Sequence, residues 1–318
     1  MLARFPSLPL VASPTPVEPL PRLRDLLGGG PRLLIKRDDA IAFGFGGNKV
    51  RKLAFVGARA QADGADTLIT AGGIQSNHAR VTAATAAKLG MRAVLVANGA
   101  EPERRTANAL LDRLLGADVV HVSSREERVP KIVELADRLR REGRHPFAIP
   151  IGASTPLGAL GYALAVAELY DQIPPPDVIV HSSSSGGTQA GLVVGCRLLG
   201  LPTRVLGISA DESSAGLQAQ IRAIVSGTAD LLDMDPHKLA KGTAIEVDDR
   251  FVGEGYGIPT DASREAIDVT ARTEAIFLDP TYTAKAMAAL IANVRQQKFV
   301  ENQTVLFWHT GGQVGLFA

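Results

Sequence analysis

Several features are scarce in this 318-residue chain. Cys196 is the only cysteine, which rules out an internal disulfide and favours the cytoplasm. The apolar runs break well short of a membrane span, and prolines near the N-terminus argue against a signal peptide. The six histidines lack metal-ligand spacing, which predicts no metal site. With 34 basic and 33 acidic residues and no basic block, neither a nucleic acid nor a membrane is expected as a partner.

What the chain does contain is an alternation of strands and helices. Residues 67–73 predict a buried strand that ends in glycine, and residues 76–90 predict an alanine-rich helix closed by a glycine. The pattern restarts after Pro174–Pro176 with a strand at 177–183 and a helix from Thr188. Strands alternating with helices indicate parallel sheets wrapped by helices. We therefore expect two α/β units with a cleft between them.

The segment "FGFGGNKVRKL", Phe43–Leu53, places Lys49 directly after a turn rich in glycine. Glycine lets a backbone turn tightly and lets another group approach it closely. A surface lysine needs no such approach. The pattern indicates that Lys49 meets a bulky group at short range.

Two segments place polar residues where a strand passes into a helix. "SSSSGGTQAG", Ser182–Gly191, offers hydroxyls and backbone N–H groups at a helix start, which is typical of a phosphate or carboxylate cradle. "AGGIQSNHAR", Ala71–Arg80, repeats the arrangement. The alternatives are an ordinary capped turn in the first segment and helix capping by Ser76 in the second.

Three further segments carry polar or aromatic residues in turns: "GEGYGIP", "LDPTYTAKAM" and "FWHTGG". Each one alone is explained by structure. In combination and in order, "IKRDD", "FGGNKVRKL", "GGIQSNHAR", "SSGGTQAG", "EGYGIP", "DPTYTAKAM" and "HTGG" resemble the family of 1-aminocyclopropane-1-carboxylate (ACC) deaminases and D-cysteine desulfhydrases. The resemblance covers nearly the whole chain.

The resemblance implies a pyridoxal-phosphate enzyme of fold type II, the group of the tryptophan synthase β-subunit. Such a fold has two open, twisted, mostly parallel α/β domains with the cofactor in the cleft. We expect a large cofactor-binding domain made of residues 1–50 and 162–318, and a small α/β domain made of residues 51–161. The resemblance also implies a homodimer and a small amino-acid substrate.

The resemblance assigns roles to individual residues. Lys49 forms the Schiff base with pyridoxal phosphate and becomes a proton carrier once the substrate amine displaces it. Lys52 lies one helical turn further on, either against the phosphate or as a solvated surface lysine. The residues implied to bind the cofactor are Lys49, Lys52, Asn77, Ser185, Gly186, Gly187, Thr188 and Thr310. Those implied to face the substrate are Gln75, Ser76, Asn77, Tyr256 and Tyr282.

The chain departs from ACC deaminases at Thr283 and Thr310, where they carry glutamate and leucine. A threonine cannot supply the charge that keeps the pyridine nitrogen protonated. The weaker electron sink favours β-elimination over the opening of a cyclopropane. Thr310 is the first choice for the contact to the ring nitrogen, and Thr283 the second.

The predicted reaction is therefore a β-elimination that converts D-cysteine to pyruvate, sulfide and ammonia. The α-proton is removed by one of three catalytic candidates: Lys49, Ser76 or Tyr282. The main alternative is a lyase that releases sulfite from L-cysteate, with His78 or Arg80 at the sulfonate. An ACC deaminase and a non-catalytic carrier of pyridoxal phosphate are less favoured.

Overall fold

The computed structural model describes residues 2–235, 239 and 245–318. Its strands are β1 Val17–Pro19, β2 Arg32–Arg37, β3 Thr67–Gly73, β4 Arg92–Asn98, β5 Asp118–Val122, β6 Pro146–Ala148, β7 Val178–Ser183, β8 Arg204–Ser209, β9 Glu246–Asp248 and β10 Thr304–His309. Its helices are α1 Pro21–Leu26, α2 Asn48–Ala62, α3 Asn77–Leu89, α4 Ala107–Leu114, α5 Arg128–Arg141, α6 Pro156–Gln172, α7 Gly187–Leu198, α8 Ser214–Leu231, α9 Asp261–Glu274 and α10 Thr283–Arg295.

The strands form two sheets. One has six strands in the order β1-β2-β10-β7-β8-β9, and the other has four in the order β5-β4-β3-β6. Only β1 runs antiparallel to its neighbour, and every other pairing is parallel. The prediction of an α/β fold with two mostly parallel sheets is confirmed.

Local sequence signals set the ends of the helix that follows β3. Ser76 accepts a hydrogen bond from the Ala79 amide at 3.2 Å, and this contact caps the first turn of α3. Gly90 ends the helix in the left-handed conformation, at a φ of 68°. Both features follow from residue type, because serine is a favoured N-cap and glycine adopts positive φ without a steric cost.

One apolar core connects the two sheets. It contains Val50 from α2, Leu68 from β3, Leu160 from α6, Ile179 from β7 and Trp308 from β10. Helices α2 and α6 pack against each other within it. The predicted domain boundaries, at 50/51 and 161/162, both fall inside these two helices, so the division of the chain stays a proposal.

Within the described residues, no helix combines the length and the apolar character needed to cross a bilayer. The same part of the chain contains no group of three or more His, Cys, Asp or Glu side chains arranged to hold a metal ion.

Candidate active site

A cavity of about 290 Å³ opens between the two sheets. Its wall includes Gly73 at the end of β3, Ser183 at the end of β7 and Thr310 directly after β10. Crevices at the carboxyl ends of parallel strands are the usual binding sites of such folds. The predicted site residues that line the cavity are Lys49, Lys52, Ser76, Asn77, Ser185, Gly186, Thr188, Tyr256, Tyr282 and Thr310.

Lys49 lies in the first turn of α2, and the glycines before it let this turn dock on the end of β10. A Cβ at Gly47 would lie 2.9 Å from the Thr310 carbonyl oxygen, and one at Gly46 would lie 2.7 Å from the Asp39 carbonyl oxygen. The Asn48 amide then donates to the Thr310 carbonyl at 2.9 Å. Only glycine permits this backbone contact, which fixes the position from which Lys49 enters the cavity.

Two lysines of α2, Lys49 and Lys52, line the cavity. Burial lowers the pKa of the Lys49 amine to about 8. Burial, followed by the charge of Lys49, lowers the pKa of Lys52 well below its ordinary value. Lys52 is 1% exposed and donates to the Gly152 carbonyl at 3.2 Å, so the alternative of a solvated surface lysine is wrong. Among the described residues, neither ammonium has a carboxylate within ion-pair distance.

The start of α7 forms a cradle of hydroxyl and N–H groups. Ser185 Oγ lies 2.8 Å from Ser154 Oγ, which also accepts from the Gly187 amide at 3.2 Å. Gly187 itself does not line the cavity, and a Cβ there would lie 2.6 Å from Ser154 Oγ. Thr188 accepts a hydrogen bond from Asn48 at 2.9 Å. The buried Ser183 hydroxyl has no hydrogen-bond partner within the described part of the chain.

The two threonines considered for the ring nitrogen lie in different surroundings. Thr310 lines the cavity, and its hydroxyl lies 2.9 Å from the hydroxyl of Ser182. Thr283 is fully buried away from the cavity and donates to the Asp279 carboxylate at 2.7 Å. Of the two, only Thr310 is placed to contact a cofactor in the cavity.

Neighbouring residues at the start of α3 face different parts of the structure: Ser76 and Asn77 face the cavity, and Gln75 faces α4. Ser76 and Asn77 line the cavity, and Asn77 Oδ1 accepts from Asn108 Nδ2 at 3.0 Å. Gln75 does not line it, because its side chain accepts from the Asn108 amide at 2.9 Å and donates to the Thr106 carbonyl. The structure therefore does not bring Gln75 to the substrate side as predicted, and instead makes it a tether for the start of α4.

Tyr256 and Tyr282 form a pair on the cavity wall. Their hydroxyl oxygens are 2.5 Å apart, and their rings pack edge to face with centroids 5.8 Å apart. Burial raises the pKa of both phenols, and well above the ordinary value for Tyr282. Both side chains are therefore neutral proton donors near pH 7.

The residues considered for a sulfonate do not form a cationic site. His78 lines the cavity, but burial and the charges of Lys49 and Lys52 lower its pKa well below its ordinary value. It is neutral at pH 7. Arg80 lies outside the cavity wall and donates to the Gly46 carbonyl at 2.9 Å.

Comparison with known proteins decides the family. The profile of the family described as "Pyridoxal-phosphate dependent enzyme" matches residues 8–311. The chain belongs to this family. It is 42% identical to the D-cysteine desulfhydrase of Klebsiella pneumoniae (strain 342) and 40% identical to that of Salmonella newport (strain SL254). Both alignments span 100% of this chain and 97% of the relative.

Solved structures agree with this family membership. A solved ACC deaminase homologue superposes with a TM-score of 0.92 at 36% identity, covering 99% of this chain and 94% of that one. The threonine deaminase isoform 2 of Solanum lycopersicum gives a TM-score of 0.70 at 18% identity, covering 98% and 84%. The second likeness shows a shared fold alone.

The cavity of this pyridoxal-phosphate enzyme fits its cofactor. Lys49 and Lys52 lack a counter-charge from a carboxylate, and the N-terminus of α7 favours an anion. The unpartnered Ser183 hydroxyl supplies a further hydrogen-bonding group beside this helix start. A phosphate group would give Lys52 and the α7 start an anion and Ser183 a hydrogen-bond partner, while Lys49 would be left for the aldehyde carbon of the cofactor.

Some residues of the cavity wall were not predicted from the sequence. Arg125, Arg128 and Asp211 are the clearest cases, and Ser154, which contacts Ser185 from behind the wall, was missed as well. "SSREER" around Arg125 has the composition of a solvated turn. No local pattern could have indicated that this turn reaches the cavity.

Proposed function

We propose that the chain is a pyridoxal-phosphate-dependent lyase that removes the β-substituent of a small amino acid. The proposed substrate is D-cysteine, which would yield pyruvate, sulfide and ammonia. The observation that carries the proposal is the placement of Lys49, its pKa lowered to about 8, in one cavity with the α7 cradle and the tyrosine pair. The identity of 40–42% to D-cysteine desulfhydrases over the whole chain supports the choice of substrate.

The cofactor would be held by residues that already line or support the cavity. Lys49 would bind its aldehyde carbon, and the α7 start with Ser185, Gly186, Gly187 and Thr188 would bind its phosphate, assisted by Lys52. Asn77 and the Thr310 hydroxyl would contact the ring. When bound, pyridoxal phosphate withdraws electrons from the α-carbon of an attached amino acid and so acidifies its α-hydrogen.

The proton transfers are assigned to groups with suitable protonation. A Lys49 amine with a pKa of about 8 is neutral far more often than an ordinary lysine, and the neutral form can accept the α-proton. Tyr282 stays protonated, so its hydroxyl can donate a proton to the sulfur as the C–S bond breaks and its electron pair leaves with sulfur. Ser76 already accepts the Ala79 amide, which leaves it better suited to bind the substrate carboxylate than to act as a base.

One observation favours the sulfite-releasing alternative. Arg125 and Arg128 both line the cavity, and Arg128 donates through Nε to the Arg125 carbonyl at 3.0 Å. Its terminal nitrogens form no hydrogen bond or ion pair within the described part of the chain. Such a guanidinium can bind a sulfonate. L-cysteate is therefore the second candidate substrate, while the described residues of the cavity wall give no such support to ACC opening or to a non-catalytic carrier role.

The proposal includes the oligomeric state and the cellular location of the enzyme. We expect a homodimer in the cytoplasm, in line with the resemblance and the single cysteine. Sedimentation of the purified holoenzyme at micromolar concentration tests the first point, and a monomer would contradict it.

A substrate panel tests the proposed function. The purified protein should be yellow and should release pyruvate and sulfide from D-cysteine faster than pyruvate from L-cysteine or L-cysteate, or 2-oxobutyrate from ACC. Lys49→Ala should lower turnover by about 10³-fold or more and remove the absorbance of the Schiff base. Lys88→Ala, at the exposed end of α3, is the matched control and should behave as the wild type.

Each product points to a different conclusion. Sulfite from L-cysteate as the main activity would favour the second candidate. Predominant 2-oxobutyrate from ACC would overturn the argument from Thr283 and Thr310. A yellow protein without turnover of any β-substituted amino acid would indicate a carrier.

A further inference from the structure

One lysine of α10 organises two loops of the cavity wall. Lys285 is 1% exposed, and its ammonium donates to the carbonyls of Val252 at 2.7 Å, Gly255 at 2.8 Å and Ala210 at 3.3 Å. The next residues along these loops are Asp211 and Tyr256, which line the cavity. Three hydrogen bonds from one buried cation fix the two loops relative to each other. They form a rigid platform on the side of the six-stranded sheet.

A residue from the other sheet contacts this platform. Arg125 lies in the bend between β5 and α5, and its carbonyl accepts a hydrogen bond from Arg128 Nε at 3.0 Å. The Arg125 guanidinium lies 4.7 Å from the ring centre of Tyr256 and 3.4 Å from Asp211 Oδ2. Both contacts cross the mouth of the cleft, from the four-stranded sheet to the six-stranded one.

The Arg125–Asp211 contact is long, and one oxygen of the Asp211 carboxylate remains available for a further hydrogen bond. At 3.4 Å, the Arg125–Asp211 pair is longer than an ordinary charge-assisted hydrogen bond. The Arg125 side chain is 44% exposed, whereas the Asp211 side chain is only 9% exposed. Asp211 Oδ1 is buried without a partner in the described part of the chain. A small inward movement of the Arg125 side chain would engage both carboxylate oxygens, and the single long contact of a half-exposed arginine costs little to separate.

We propose that Arg125, paired with Asp211, is a positioning residue that closes the mouth of the cleft and holds Tyr256 against Tyr282. Stacking of the Arg125 guanidinium on the Tyr256 ring fixes the orientation of the ring, and the 2.5 Å contact with the Tyr282 hydroxyl fixes the position of the Tyr256 hydroxyl. Substrate enters when the pair separates, and the tyrosine pair becomes ordered when it forms again. The link to turnover rests on the proposed function, whereas closure of the mouth does not.

Two measurements on the holoenzyme test the proposal. The first is the rate at which hydroxylamine bleaches the visible absorbance of the cofactor, which reports access to the cleft and needs no substrate. The second is steady-state pyruvate release from D-cysteine. The variants are Arg125→Ala, Asp211→Asn and the double variant, with Arg138→Ala on the exposed face of α5 as the charge-matched control.

We expect each single variant to bleach about fivefold to tenfold faster than the wild type and to raise KM several-fold, with kcat changed by less than about threefold. The double variant should be no worse than Arg125→Ala, because Arg125→Ala already removes the contact that Asp211→Asn weakens. Arg138→Ala should match the wild type.

Bleaching of Arg125→Ala at the wild-type rate would overturn the proposal, and so would additive effects in the double variant. If the wild type releases no pyruvate from D-cysteine while Arg125→Ala still bleaches faster, the proposed substrate is wrong and the closing contact stands. If turnover is normal in every variant and bleaching is unchanged, the function stands and the contact does not act.

Discussion

Two ion pairs, Arg51–Asp38 and Arg125–Asp211, connect elements that pack around the two sheets. They differ in burial and in the number of hydrogen bonds. Behind the cavity, Arg51 of α2 donates to the fully buried Asp38 at 2.8 and 2.9 Å and to Glu168 of α6 at 2.8 Å. At the mouth, Arg125 reaches Asp211 once, at 3.4 Å, with its guanidinium half in solvent. The same residue types thus form a buried contact with several hydrogen bonds away from the cavity and a half-exposed contact with one hydrogen bond on the cavity wall.

The difference lies in desolvation and in the number of partners. Asp38 also accepts from the Tyr162 hydroxyl at 2.6 Å and from Trp308 Nε1 at 2.8 Å, so its carboxylate is saturated. Removing one partner of such a buried pair leaves the other charge buried and unpaired. This lowers the free energy of unfolding strongly, even where the intact pair adds little net stability. At the mouth, the Arg125 side chain is 44% exposed, so water can solvate its guanidinium when the contact with Asp211 is lost. The buried contact should therefore resist separation more strongly than the contact at the mouth.

The largest expected effect comes from breaking the buried joint. Arg51→Ala should lower the free energy of unfolding by about 3–5 kcal/mol, because Asp38 and Glu168 lose their main cation. Urea unfolding followed by circular dichroism measures this. Arg59→Ala is the matched control on the same helix, since Arg59 pairs with Asp63 on the exposed surface and should cost less than about 0.5 kcal/mol. Equal losses for the two variants would contradict the comparison.

The pH dependence of the stability of Arg51→Ala provides a second test of the buried contact. Burial alone would raise the pKa of Asp38, but the charge and hydrogen bonds of Arg51 lower it below its ordinary value. In the wild type, the contribution of Asp38 is therefore complete above about pH 4 and is lost as the pH falls further. Without Arg51, burial dominates and raises the pKa, so the ionised carboxylate destabilises the variant at neutral pH. The stability gap between wild type and Arg51→Ala should be widest near pH 7 and should narrow toward pH 4, and a gap that widens on acidification would contradict this.

The pKa of Lys49 is lowered because its amine is buried and has no carboxylate partner among the described residues. With a pKa of about 8, only about a tenth of its amine is neutral at pH 7 and about half at pH 8. The cofactor-free protein should therefore take up pyridoxal phosphate about fivefold faster at pH 8 than at pH 7, measured by the growth of visible absorbance. An uptake rate that does not change over this interval would mean that another step controls binding.

The smallest effect is expected at the mouth. Arg125→Ala should lower the free energy of unfolding by about 1 kcal/mol, because the Arg125 side chain is 44% exposed and makes one long contact with the Asp211 carboxylate. The same urea titration as for Arg51→Ala provides the comparison. A loss as large as that of Arg51→Ala would mean that the mouth is a structural joint and does not open.

The sequence predicted the parts of the fold that depend on neighbouring residues. Glycines and caps marked β3 and α3, and the glycine turn singled out Lys49. The missed parts depend on contacts between distant segments. Asp38 and Trp308 are 270 residues apart in the chain, and Arg125 and Asp211 are 86 apart. Gln75 shows the converse, because its motif position suggested the substrate while the fold directs its side chain to α4.

Trp308 is the only tryptophan in the chain, and its indole donates to Asp38 beside the ring of Tyr162. The intrinsic ultraviolet emission of the protein therefore originates at the buried joint. Loosening of that joint should appear as a red shift without any label, while motion of the Arg125 bend should leave the emission maximum unchanged. The single tryptophan thus reports on the buried contact of Asp38 and is silent about the contact of Arg125 with Asp211.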